Sequence, residues 1–199
     1  VQGHGPMPVA RVVHALVQAC GSLREAHDRG WVHRDVKPGN IMLCVRAGEH
    51  DVAKVLDFGL IKQLRNPDTR DITQYSKVLG TPLYMAPERL RNPADADARA
   101  DIYALAAVAY FALTGRNAFE AETDHDIVYR VLNEPAPTLA AAGVAAPPAL
   151  EELLARCLDK DRERRPATIA EVRAALEAIA ASHPWTAADA RAWWVAVTI

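Results

Sequence analysis

Positions 33 to 40 read HRDVKPGN, and they set Asp35, Lys37 and Asn40 close together in one short irregular loop. An aspartate there can accept a hydrogen bond from an attacking hydroxyl, while a lysine ammonium neutralises charge on a transferred group. Asn40 offers a neutral hard oxygen. Asp57, at the far end of a predicted hairpin, offers a charged one that a paired hairpin would bring back beside Asn40. Hard oxygens suit Mg²⁺, which takes a few protein ligands and fills the rest of its shell with phosphate and water. The four residues together form a constellation for phosphoryl transfer.

These residues must be held by the elements around them. Before the loop, Val12, Val13, Leu16, Val17, Cys20 and Leu23 recur at three- and four-residue steps, which predicts a long amphipathic helix from Val9, with Pro8 in its first turn and Gly30 as its stop. After the loop, the apolar runs Ile41 to Val45 and Val52 to Leu56 predict a β-hairpin turned by RAGEHD. Residues 57 to 88 keep no sustained period and read as one long functional loop. Helices are then predicted over Asp101 to Thr114, apolar enough to be buried, after Thr123 and Asp126, over Ala149 to Leu158, and over Thr168 to Ala181 with the capping box Thr168 to Glu171. The tail PWTAADARAWW sets Ala190, Trp193, Trp194 and Val197 on one face of a short helix opened by Thr186 and Asp189, and its expected place is against its own domain. The expected division is 1–182 for the main unit and 183–199 for the Trp-rich tail helix.

Composition narrows the partners. Half of the 199 residues are hydrophobic and the formal net charge is -2, with a sequence pI near 6.4. A sizeable core is expected, and no basic field exists for nucleic acid or an anionic membrane. The longest apolar run, Ile102 to Leu113, is too short to span a bilayer. Cys20, Cys44 and Cys157 are odd in number and far apart among apolar neighbours, which argues against a disulfide framework or zinc site and fits a reducing cytoplasm. His33 reads as a core histidine, and the other histidines lack metal-ligand spacing.

Three motifs, HRDVKPGN at 33–40, DFG at 57–59 and GTPLYMAPE at 80–88, occur in the order in which protein kinases carry the sequences they closely resemble: the catalytic loop, the metal-binding motif and the substrate-binding end of the activation segment. The resemblance runs from the first helix to about Ala181. It implies an α+β, mainly α fold, the large C-terminal lobe of a protein kinase with a small β-hairpin. By that resemblance Asp35 orients the substrate hydroxyl and accepts its proton, Lys37 touches the γ-phosphate of ATP, and Asn40 and Asp57 hold Mg²⁺. Lys37 together with Thr81, a substrate-binding position in the GTP stretch, resembles the serine/threonine pattern, so the implied substrate is a Ser or Thr hydroxyl on a protein. Two structural anchors are implied as well: Glu88 paired with Arg165 of RERRP, and Asp101 accepting hydrogen bonds from the backbone around His33. The wording of HRDVKPGNIML and GTPLYMAPERL resembles bacterial members of the family.

Regulation is implied at Arg34, which resembles the arginine that receives a phosphate from the activation segment. Thr73 is the first acceptor expected. The Thr-x-Thr pair of bacterial members is broken here by Tyr75, which leaves Ser76 and Thr69 as rivals. Ala104 and Ala106 depart from the Ser and Gly of many relatives, at no cost to a helix. No stretch resembles the Gly-rich loop, the strand lysine or its helix glutamate, so the N-terminal lobe is absent from these residues and the chain reads as a fragment of a longer kinase, inactive alone. The alternative is a non-catalytic interaction module. A homodimer of kinase chains stays open, as does a membrane anchor outside this chain.

Overall fold

The computed structural model describes residues 5–57 and 82–197. The first helix, α1 (Val9–His27), buries Val12, Val13, Leu16, Ala19, Cys20 and Leu23 on one face. Pro8 precedes it as N-cap, and it ends at His27, before the expected stop. Gly30 lies beyond it with φ 74°, where its missing Cβ allows a left-handed turn into the loop that carries Asp35.

The hairpin pairs β1 (Ile41–Arg46) with β2 (Glu49–Val55) in antiparallel register, Ile41 opposite Val55 and Leu43 opposite Ala53. The turn is tighter than the sequence had indicated. Ala47 and Gly48 both have positive φ, 50° and 85°, which is the backbone a two-residue turn needs to match the twist of its strands. The rest of the polar RAGEHD stretch is therefore strand, and its extra residue is absorbed by a bulge: Cys44 faces Val52 and Arg46 faces Glu49. Asp51 sits in that bulge at φ 57°.

After the undescribed stretch come a 3₁₀ turn (Pro82–Tyr84) and a short helix α2 (Pro87–Arg91). The central helix α3 (Ala98–Thr114) starts earlier than the apolar run, because Asp97 caps it by accepting from Arg99 N at 2.8 Å, and it ends on Gly115 at φ 74°. Nearly every residue from Ala100 to Leu113 is buried. Its alanines present little side chain, so α1 and the helices Pro148–Cys157 and Ile169–Ser182 can all pack on it. These are completed by α4 (Asp124–Asn133), capped by Thr123, α5 (Pro148–Cys157) and α6 (Ile169–Ser182), opened by the Thr168 and Glu171 box. Burial pushes the thiols of Cys20 and Cys157 up to about 12, as expected of packed, unreactive cysteines. No helix among the described residues is long and apolar enough to cross a membrane.

The tail forms α7 (Ala187–Val197), with Thr186 and Asp189 exchanging cap hydrogen bonds. It packs on β2 of its own domain.

Candidate active site

The loop between α1 and β1 is held from below by one carboxylate. Asp101, in the first turn of α3 and 1% exposed, accepts from His33 N at 2.7 Å and from Arg34 N at 2.8 Å. Two successive N–H groups converge on one anion, and Arg34 takes φ 65° there. A left-handed arginine is strained by about 1–3 kcal/mol, which the two charge-assisted bonds offset. His27 Nε2, from the last turn of α1, donates to the same carboxylate at 2.9 Å. Nothing in the sequence singled His27 out beyond a basic residue at a helix end.

The His33 ring, fully buried, ties the loop to the hairpin. Its Nε2 faces Leu56 O at 2.9 Å and its Nδ1 faces Asp35 N at 3.2 Å. A carbonyl only accepts and a backbone N–H only donates, so the ring is the neutral Nε2–H tautomer. Asp35 and Leu56 are thereby set by one side chain. Leu56 N also donates to Asn40 O at 2.8 Å, which extends the strand pairing by one step and leaves Asp57 as the next residue beyond that pair. Asp57 itself is exposed at φ 52°.

Val36 is buried in the core, and its neighbours Asp35 and Lys37 are half-exposed. Lys37 Nζ donates to Asp35 Oδ2 at 2.9 Å. Buried Asn40 turns its Nδ2 to Asp35, donating to the backbone oxygen at 2.7 Å and to Oδ2 at 3.1 Å. Its amide nitrogen is thus committed inward. Asn40 Oδ1 and the Asp57 carboxylate remain as hard oxygens, one neutral and one charged, and that set fits Mg²⁺ with phosphate and water completing the shell. No cluster of three or more His, Cys, Asp or Glu side chains among the described residues offers a rival cation site.

The other anchor joins α2 to the segment before α6. Arg165, its side chain fully buried, donates to both Glu88 oxygens at 2.7 and 2.8 Å, to Asp159 O at 2.8 Å and to Arg99 O at 3.2 Å. Its guanidinium also lies 5.0 Å from the Tyr103 ring centre. Arg89, next to Glu88, reaches across to donate to the Arg34 carbonyl. Burial draws the Arg89 guanidinium below its ordinary value against the pull of Asp101 and Asp35. The Arg34 side chain stays exposed. Thr81, Thr73, its rivals Ser76 and Thr69, and Tyr75 lie outside the described residues, as do Phe58 and Gly59 of DFG.

Sequence reading passed over Arg11, Asp51 and Trp185. Arg11 stands beside Val12 and Val13 on α1 yet is 5% exposed, and a long cation placed beside the apolar face was the available signal.

The chain is similar to known proteins in sequence and in fold. The model of the family described as "Protein kinase domain" matches residues 1–185. Among curated relatives, the serine/threonine-protein kinase Pkn1 of Myxococcus xanthus is 41% identical over 182 residues, 89% of this chain and 25% of that protein. The serine/threonine-protein kinase pkn3 of the same organism is 37% identical over 177 residues, covering 87% and 32%. PknB of Mycobacterium tuberculosis is 34% identical over 186 residues, covering 92% and 28%. The chain thus spans between a quarter and a third of the length of these relatives. A crystal structure of Rad53 1-466 in complex with AMP-PNP shares the fold, at TM-score 0.65 and 22% identity, over 85% of this chain and 40% of that one. The chain belongs to the protein kinase family, among the serine/threonine kinases of the bacterial eukaryotic-like type.

Proposed function

We propose that these residues are the catalytic lobe of an enzyme that, in its complete form, transfers the γ-phosphoryl group of ATP to Ser or Thr hydroxyls of proteins. The observation that carries this reading is that Lys37 and Asn40 both lie within hydrogen-bond distance of Asp35, while Leu56, next to Asp57, is bonded to the Asn40 backbone.

Asp35 orients the acceptor hydroxyl and takes its proton on a carboxylate oxygen. Lys37, now resting on Asp35, swings its ammonium to the phosphoryl oxygens when substrate enters. There it offsets the charge that spreads over them in the transition state. Asn40 Oδ1 and Asp57 would hold Mg²⁺, which when bound neutralises phosphate charge. The inward Asn40 Nδ2 bonds fix the side chain, so its oxygen needs no reorganisation. Arg34 and Arg89 meet at the loop, and the exposed Arg34 guanidinium is available to a phosphate on the activation segment, with Thr73 its first candidate.

The roof that would cover ATP has no counterpart in these residues, so the 199-residue chain alone transfers negligible phosphate. Radiolabel transfer from Mg-ATP to a Ser/Thr-containing protein tests both statements. The chain alone should stay at background. Joined to a relative's small lobe it should transfer label, and Asp35→Asn should lower that transfer by at least about 10²-fold. Transfer indifferent to Asp35→Asn would overturn the reading.

A further inference from the structure

Asp51 is fully buried at the bulge of β2, and both its oxygens are saturated by groups far away in sequence. Arg11 Nε donates to Oδ2 at 2.9 Å and its terminal nitrogen to Oδ1 at 2.6 Å. From the tail, Trp185 Nε1 donates to Oδ2 and Trp194 Nε1 to Oδ1, each at 2.8 Å. The Arg11 guanidinium lies 4.5 Å over the Trp193 ring. Gln18 of α1 brackets the strand, donating to Asp51 O at 2.9 Å and accepting from Ala53 N at 3.0 Å. All three tail tryptophans therefore meet this one hub or its arginine.

We propose that the C-terminal helix is a positioning latch for the catalytic hairpin: Trp185 and Trp194, seated on Asp51, fix the strand register that holds Asn40 beside Asp57. The inference rests on the reading of Asn40 and Asp57 given above. Its physical basis is the choice of chemistry. A tail that needed only to cover apolar surface would use leucine, and would avoid the desolvation of a buried carboxylate and guanidinium. Indole N–H donors on a carboxylate instead specify one position and one orientation. The consequence falls on register, because among the described residues the sheet has two strands and no third to pin it. A slip of one residue would flip its side chains and separate Leu56 N from Asn40 O. Arg11, Gln18, Trp185 and Trp194 are thus positioning residues that act through Asp51, and none touches the reacting groups.

The test uses the full chain, with amide hydrogen exchange and Mg²⁺ titration followed by NMR on the wild type, Asp51→Asn and Trp194→Phe. The last removes the indole N–H and shrinks the ring to a phenyl. The latch predicts that Leu56 N–H exchanges about ten-fold faster in Asp51→Asn, and by less in Trp194→Phe, while Val108 and Ala109 of α3 keep their rates. It also predicts a several-fold weaker Mg²⁺ response at the Asn40 and Asp57 amides. Uniform acceleration across α3 and the hairpin would reduce the hub to ordinary stability, and unchanged exchange at Leu56 would overturn the latch. If Asp51→Asn does not fold, Trp194→Phe decides. If the wild type shows no Mg²⁺ response, the reading of the metal ligands fails, and the exchange pattern alone still decides the latch.

Discussion

Two buried aspartates organise this lobe, and they do it differently. Asp101 receives two backbone N–H groups and His27 Nε2, and so shapes a loop. Asp51 receives four side-chain donors from α1 and the tail, and so gathers elements. Backbone donors bind any residue type at 33 and 34, which makes the Asp101 anchor tolerant of its partners. The Asp51 hub depends on the identity of each partner. One arginine and two tryptophans must all be present for the carboxylate to stay buried at no net loss.

The comparison breaks most visibly at the hub. Asp51→Ala leaves the Arg11 guanidinium buried and unpaired, and should cost about 3–5 kcal/mol in urea unfolding. Asp101→Asn keeps one acceptor and turns an N–H toward another donor. It should cost about 2 kcal/mol, with the loss read as faster exchange at His33 and Arg34. Trp194→Phe, which deletes one donor to a charged acceptor and shrinks the ring, should cost about 2 kcal/mol.

Acid sharpens the same contrast. Burial pushes the Asp51 carboxyl up, but the Arg11, Trp194 and Trp185 hydrogen bonds and the Arg11 charge outweigh it and hold the group below its ordinary 3.8. The stability it contributes is therefore present above that value and lost as pH falls through the lower folded one. His14, which meets Gln18, and His50, beside Trp194, are the neighbouring histidines. Unfolding followed from pH 5 to 2 should show a stability loss in the wild type that is smaller in Asp51→Asn.

A separate effect is expected at Lys160, whose buried ammonium has no hydrogen-bond partner among the described residues and sits 3.8 Å from the Phe119 ring centre. Burial, with Arg165 nearby, draws it down to about 8. The unfolded chain binds that proton up to about its ordinary 10.5, so this group adds stability as pH rises from about 8. Subtracting the pH profile of Lys160→Met from that of the wild type should leave a rising slope over that window.

What could be seen beforehand follows the same division. The meeting of Asp35 with Lys37 and Asn40 was legible because the three are close along the chain, and the approach of the Asp57 end of the hairpin because its strands pair as their apolar runs suggest. The helices were legible from periodicity and from caps such as Thr123 and Thr168. The two-residue turn at Ala47 and Gly48 was not, because the polar residues of RAGEHD resemble a loop while their backbone pairs as strand. Asp51 stayed hidden for a related reason. Its partners are 40, 134 and 143 residues away, and a lone aspartate in a polar stretch looks like a solvated one.

The most direct test of the site is to add Mn²⁺, a hard-oxygen stand-in for Mg²⁺, and map which amide signals broaden. The account predicts that broadening begins at residues 35–41 and at Leu56 and Asp57, persists in Lys37→Met, and disappears in Asp57→Ala. Broadening centred elsewhere, or unchanged in Asp57→Ala, would contradict it.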